Sequence, residues 1–216
     1  MSKLLLQTQN LGRKFGEFQA LKPVNLTLHE GEMVALVGPN GSGKTTLLLC
    51  LSGLLRQTSG EVQVEGFDLY QDERQVRKHL AFVPDVPVFY QELTAWEHLR
   101  FLAMAHNDLS QFESRAEELL REFGLWEARD LFPQVYSRGM RLKLGVVLAL
   151  IRPFSVLLMD EPNSALDTES IEVLTERLRV LSLSGKGILL STHDPNFARQ
   201  LNAKAWNIRD GILTME

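Results

Sequence analysis

The feature that most restricts what this chain can become is Gly38-Pro39-Asn40-Gly41-Ser42-Gly43-Lys44-Thr45, a full match to G-x-x-x-x-G-K-[ST]. It sits between the apolar run Met33–Val37 and the apolar segment Lys44–Leu51, so a strand feeds a glycine-rich turn that opens a helix. In that order, backbone N–H groups of the turn converge on an anion and the helix dipole points its positive end at the same place. Glycines are needed because β-carbons would block close approach of a phosphate. Lys44 is placed to supply a point charge for the β and γ phosphates, and the Thr45 hydroxyl to coordinate Mg²⁺.

Around this loop, short apolar runs alternate with helix-period segments, the pattern of an α/β protein with a mostly parallel sheet. Strands are expected at Leu4–Thr8, Met33–Val37, Glu61–Val64, His79–Val83, Val156–Met159, Gly187–Ser191 and Ala205–Ile208, with Asp210-Gly211 turning the last into Ile212–Met215. Helices are expected at Lys44–Leu51, Glu73–Lys78, Ala95–Ala105, Ser110–Phe123, Ser137–Leu150, Glu169–Leu181 and Asn196–Leu201. Between Leu93 and Arg152 the strand pattern stops. With capping-box spacing at Ser110-Gln111-Phe112-Glu113 and a terminator at Gly124, approximately residues 93–152 read as an inserted helical subdomain within a single domain, 1–216.

Composition excludes several classes. At 216 residues, 44% hydrophobic and 23% charged, the chain is neither disordered nor a coiled coil. A net charge of −4 provides no global field toward nucleic acid, and no nucleic-acid partner is expected. Uncharged apolar stretches such as Gly145 to Ile151 fall far short of the roughly 18 residues that span a bilayer. The first residues lack the apolar core of a secretory signal, and the single cysteine, Cys50, fits a reducing cytoplasm and a small core position.

Downstream, Val156-Leu157-Leu158-Met159 ends in Asp160-Glu161, the profile of a strand buried on both faces whose tip delivers two acids. Asp160 is suited to hold Mg²⁺, and Glu161, pointing the other way, to polarise a water toward the γ-phosphate. Gly187–Ser191 ends at Thr192-His193-Asp194, where His193 can donate a hydrogen bond to the γ-phosphate or to Glu161. His29, His79, His98 and His106 lack such a position and read as loop or core histidines.

Taken in order, these elements resemble the ATP-binding subunits of ABC transporters over nearly the whole chain. Gly38 to Thr46 looks like Walker A, Val156 to Glu161 like Walker B with its catalytic glutamate, Ser164-Ala165-Leu166-Asp167 like the D-loop, and His193 like the switch histidine. Phe15, followed by Gly16 and Ala20-Leu21, matches the aromatic that stacks on adenine. Tyr136-Ser137-Arg138-Gly139-Met140 takes the place of the signature motif, commonly Leu-Ser-Gly-Gly-Gln. Ser137 is a good N-cap, and with the Gly139 amide it makes an anion site. By resemblance, that site contacts the γ-phosphate held by the other subunit of a head-to-tail dimer. Arg138 and Met140 depart from the common form, and the tyrosine-serine variant resembles an exporter-type branch. At Pro84-Asp85 the family usually has a Mg²⁺-touching glutamine, so Asp85 is either a further metal ligand through water or a repeller of the γ-phosphate. Val86-Pro87-Val88-Phe89-Tyr90 is unusually apolar for a loop, and is either exposed or covered within the chain.

The resemblance implies a P-loop NTPase fold with a mostly parallel core sheet, an antiparallel β portion and the helical insertion. It implies Mg·ATP hydrolysis coupled to transport, with an integral-membrane permease and a second ATPase subunit as partners, at the inner face of the cell membrane. A DNA-repair clamp needs a long coiled-coil insertion and a translation factor a tandem second domain, and neither fits this length. No Asn-Lys-x-Asp motif marks a GTPase. The remaining alternative is a soluble regulatory ATPase with weak turnover and no transport role, which Arg138 and Asp85 keep open.

Overall fold

The computed structural model of the chain describes residues 2–215. Its elements run β1 (Leu4–Phe15), β2 (Phe18–Val24), β3 (Thr27–His29), β4 (Met33–Val37), α1 (Lys44–Leu51), β5 (Ser59–Val64), β6 (Phe67–Asp68), α2 (Glu73–His79), β7 (Leu80–Val83), α3 (Ala95–Ala105), α4 (Phe112–Glu122), α5 (Arg138–Leu150), β8 (Val156–Asp160), α6 (Thr168–Leu183), β9 (Gly187–Thr192), α7 (Pro195–Gln200), β10 (Lys204–Arg209) and β11 (Ile212–Met215). Two compact units result. One comprises residues up to Phe82, Phe154–Glu161 and Thr175 onward, and the other Val83–Pro153 with Pro162–Leu174.

The first unit holds two sheets. In the six-stranded one, in the order β11-β10-β4-β9-β8-β7, strands β10, β4, β9 and β8 run parallel, and β11 returns antiparallel through the Asp210-Gly211 hairpin. β8 and β9 are buried along their full length, which explains why their residues read as unbroken apolar runs. The other sheet, β2-β1-β5-β6 with β3 added to β1, is antiparallel. Leu6, Leu11, Leu21 and Leu28 from it and Leu36, Leu47, Leu51, Leu158 and Leu189 from the other layer join one core.

This antiparallel sheet is larger than periodicity suggests. β1 extends to Phe15 because it pairs with β3 and then β2 along one side and with β5 along the other, through register shifts near Asn10 and Gly12 that interrupt its alternation. β2 contains Lys22-Pro23, which argues against a central strand. It lies at the sheet's edge, where a missing N–H is tolerated.

In the second unit, α3, α4 and α5 pack on one another around Leu99, Ala103, Ala116, Leu120, Leu142 and Val146, all buried. The capping box expected at Ser110 is not formed. Gln111 occupies the N-cap of α4 with φ 55° and no side-chain cap, while Ser110 Oγ donates to Asp108 Oδ1 at 3.4 Å. The capping box lies instead at α3, where Thr94 Oγ1 accepts from the Glu97 amide and Glu97 Oε2 from the Thr94 amide. Gly124 does terminate α4, at φ 67°.

Candidate functional site

The glycines of the loop at the tip of β4 are set by close packing at Gly38 and Gly43 and by backbone conformation at Gly41 and Gly43. A β-carbon on Gly38 would stand 2.2 Å from the Ile208 carbonyl oxygen and 2.9 Å from Ser42 Oγ, so glycine is required there by space alone. Gly41 and Gly43 have φ of 78° and 109°, where a side chain is strained, and a β-carbon on Gly43 would meet the Ala20 carbonyl at 3.0 Å. Pro39, Asn40 and Gly41 are exposed.

Gly43 is the N-cap of α1 and no side chain caps that helix, which leaves its first amides open to an external acceptor. Ser42 is 4% exposed and its Oγ is buried without a hydrogen-bond partner. An open helix N-terminus, an orphaned hydroxyl and a glycine cradle that β-carbons would fill together fit a bound phosphate chain. Thr45 is exposed and Thr46 half-buried on the first turn of α1.

Lys44 is buried, and its ammonium folds back over the loop. Nζ donates to the carbonyls of Gly38 at 2.8 Å and Pro39 at 3.2 Å, and lies 3.4 Å from Glu161 Oε1. Three acceptors for three N–H donors is what a buried ammonium requires.

The parallel register puts Asp160 of β8 beside Ser191 of β9, and Ser191 Oγ donates to Asp160 Oδ1 at 2.5 Å. The same hydroxyl accepts from the Glu161 amide at 3.0 Å. Glu161 takes φ 47°, in the left-handed region, a conformation that turns its side chain away from the strand alternation and is strained for a non-glycine residue. Its Oε2 receives the His193 amide at 3.2 Å and lies 2.8 Å from His193 Nδ1. An ionised carboxylate only accepts, so Nδ1 carries the proton of this contact. Asp194, next along, caps α7 by accepting from the Asn196 amide.

Strand tips thus bring Lys44, Asp160, Glu161 and His193 together. Ser191, which ties the two acids together, escapes motif spacing. Its only sequence signal is a polar residue at the end of the apolar run Gly187–Ser191, and strand register, not sequence, pairs it with Asp160. Among the described residues no cluster of three or more His, Cys, Asp or Glu side chains is placed to hold a metal. A hydroxyl on Thr45 and a carboxylate on Asp160 are the kind of hard oxygen donor that an ion such as Mg²⁺ takes.

Phe15 ends β1, pairs with Phe18 across the hairpin and is 46% exposed, with the Arg13 guanidinium 4.4 Å from its ring centroid. Cys50 is fully buried on α1, and burial pushes its thiol up to about 11, with the nearby Arg13 charge opposing. It is a core residue and not a nucleophile. His98 is likewise a core histidine, with Nδ1 2.7 Å from the Thr94 carbonyl and Nε2 accepting from the Tyr90 amide.

In the second unit, Ser137 caps α5 by accepting from the Met140 amide at 3.2 Å, and Tyr136 anchors that end by donating to the Ala128 carbonyl at 2.7 Å. Gly139 is required by contact, since a β-carbon would lie 2.7 Å from the Ala165 carbonyl oxygen. Met140 is half-buried. Asp167 Oδ1 accepts from the Ser170 amide on the first turn of α6. The Asp85 carboxylate is held by Arg138 at 3.1 Å and Ser164 at 2.7 Å. The apolar loop after it is exposed: Val86, Val88 and Tyr90 are 65%, 91% and 58% accessible, while Pro87 packs on Gly145.

The ABC transporter family profile matches residues 21–164. Over 89% of this chain, the sequence is 34% identical to the uncharacterized ABC transporter ATP-binding protein YdbJ of Bacillus subtilis, of which the match spans 62%. It is 32% identical to the SkfA peptide export ATP-binding protein SkfE of the same organism, over 98% of this chain and 88% of that one. Among solved structures, the ATP-binding subunit of an ABC transporter superposes with a TM-score of 0.91 at 34% identity, covering 98% of this chain and 90% of the other.

Proposed function

We propose, because this chain belongs to the ABC transporter family, that it is the ATP-binding and ATP-hydrolysing subunit that powers a transporter by nucleotide-driven, head-to-tail pairing with a second ATPase subunit. It acts as a single domain, with approximately residues 93–152 as its inserted helical subdomain. The observation that carries this reading is the Glu161 carboxylate, held between the Lys44 ammonium and His193 at the mouth of an anion-binding loop.

In this reading the backbone N–H groups of Gly38 to Thr46 other than Pro39, which has none, and the Lys44 ammonium grip the phosphates, and Phe15 stacks on adenine. Thr45 and Asp160 would hold Mg²⁺, which would neutralise phosphate charge. Glu161 accepts a proton from the attacking water, and His193 fixes the orientation of its carboxylate. Ser191 holds Asp160 and the Glu161 backbone as one piece. Ser137, Arg138, Gly139 and Met140 meet the γ-phosphate of the other subunit, with Ser164 and Asp167 at the same junction. For Asp85 the geometry supports a guanidinium partner in place of the metal.

No helix among the described residues is long and apolar enough to cross a membrane. The family and the names of the relatives favour an integral-membrane permease as the partner. The exposed Val86, Val88 and Tyr90 are the surface offered to it, at the cytoplasmic face. The names of the relatives favour this over a regulatory ATPase without a transport role, and the Tyr136–Met140 variant and the likeness to SkfE favour export. The test is Glu161→Gln, which should still bind ATP, lose turnover by about 10²–10⁴-fold and accumulate an ATP-bound dimer. Hydrolysis at the parental rate would remove Glu161 from the role of base.

A further inference from the structure

Two residues that depart from the family pattern meet in space. Asp85 stands in place of an uncharged glutamine and Arg138 in place of a glycine, 53 positions apart, yet Arg138 Nη2 lies 3.1 Å from Asp85 Oδ1 and 3.4 Å from Oδ2. Ser164 completes the group: its Oγ donates to Asp85 Oδ1 at 2.7 Å and lies 3.4 Å from Arg138 Nη2. One carboxylate in the second unit therefore ties together the loop after β7, the start of α5 and the loop before α6.

Geometry makes this pair easy to exchange. A guanidinium has five N–H donors, and this one uses a single nitrogen on Asp85, so it forms no two-pronged fork. Arg138 is 59% exposed and Asp85 35%, and ion pairs this open to water are weak. Arg138 is also the first residue of α5, where the helix dipole favours an anion. The Asp85 carboxylate provides that anion from within the chain. A terminal phosphate, with more charge and three oxygens, satisfies both the fork and the helix end better.

From this we infer that Asp85 is a resident anion that holds Arg138 back, and that the γ-phosphate of ATP carried by a second copy displaces it, which makes the pair a latch on closure of the dimer. The inference rests on the proposed reading of the α5 start as the contact to the partner's nucleotide. It separates Asp85 from a direct repeller of phosphate, because a latch acts only through Arg138.

The experiment uses the full chain carrying Glu161→Gln, with the ATP concentration at half-maximal dimer in Mg²⁺ read by analytical ultracentrifugation. Asp85→Asn should lower that midpoint about two- to fivefold, the scale of an exposed ion pair. Arg138→Ala should raise it about tenfold or more, the scale of a lost charge-assisted hydrogen bond. Asp85→Asn added to Arg138→Ala should produce no further shift, and Asp85→Glu should restore the parental midpoint. If Asp85→Asn shifts nothing, or shifts the midpoint equally with and without Arg138, the latch is overturned while ATP-driven pairing stands. If the Glu161→Gln chain does not pair with ATP at all, the proposed function fails and the latch with it. Arg138→Gln is the second route should Arg138→Ala not fold: it removes the charge that Asp85 holds, so Asp85→Asn should shift nothing in that background, and an undiminished shift would overturn the latch.

Discussion

His193 approaches Glu161 twice, with Nδ1 2.8 Å from Oε2 and its own backbone amide 3.2 Å from the same oxygen. One carboxylate oxygen is thereby fixed, and the other lies 3.4 Å from the Lys44 ammonium. The side chain is 14% exposed, so these contacts set its orientation more than bulk water does.

His193→Ala should therefore lower kcat for ATP hydrolysis about 10- to 100-fold, the worth of a hydrogen bond to a charged group, while KM changes little. Steady-state kinetics measures both. A rise in KM with kcat intact would mean that His193 binds nucleotide without orienting Glu161.

Lys44→Ala removes the ammonium that bridges the Gly38 and Pro39 carbonyls and Glu161. ATP affinity, followed by calorimetric titration, should fall at least about tenfold. Undiminished affinity would count against the phosphate-binding assignment.

Gly38→Ala should destabilise the fold by about 1–3 kcal/mol, because its β-carbon would enter the Ile208 carbonyl, which belongs to a strand and cannot swing aside. Gly41→Ala meets nothing within 4 Å, and only its φ of 78° opposes it, by about 1 kcal/mol. Urea unfolding should rank the two in that order.

Glu32 gives a pH-dependent prediction. Burial pulls its carboxyl up, but hydrogen bonds from Lys204 and from the His29 amide outweigh this and hold it below its ordinary value of 4.5. Its folded pKa is depressed, so its stabilisation is present above pH 4.5 and is lost as pH falls through the folded value. Glu32→Gln should lower stability by about 1 kcal/mol at pH 7 and by progressively less as pH falls below 4.5, as thermal melts across that range would show.

Much of this was legible in the residues taken in order. The Gly38–Thr45 loop, the apolar runs ending at Asp160 and Thr192, and the Asp210-Gly211 hairpin are local patterns in which neighbours along the chain dictate the conformation. Elements held by distant partners were hidden. β2 carries a proline that only its edge position excuses, and β3 and β6 are too short to show a period.

Chain order was enough to read the α/β class, the glycine-rich loop between a strand and a helix and the acids at a strand end, because each rests on spacing of a few residues. Folding in three dimensions was needed to join Ser191 to Asp160, His193 to Glu161 and Asp85 to Arg138. Those partners lie about 30 to 50 positions apart, and whether they meet depends on strand register and loop packing, which are properties of the assembled core and not of any local stretch.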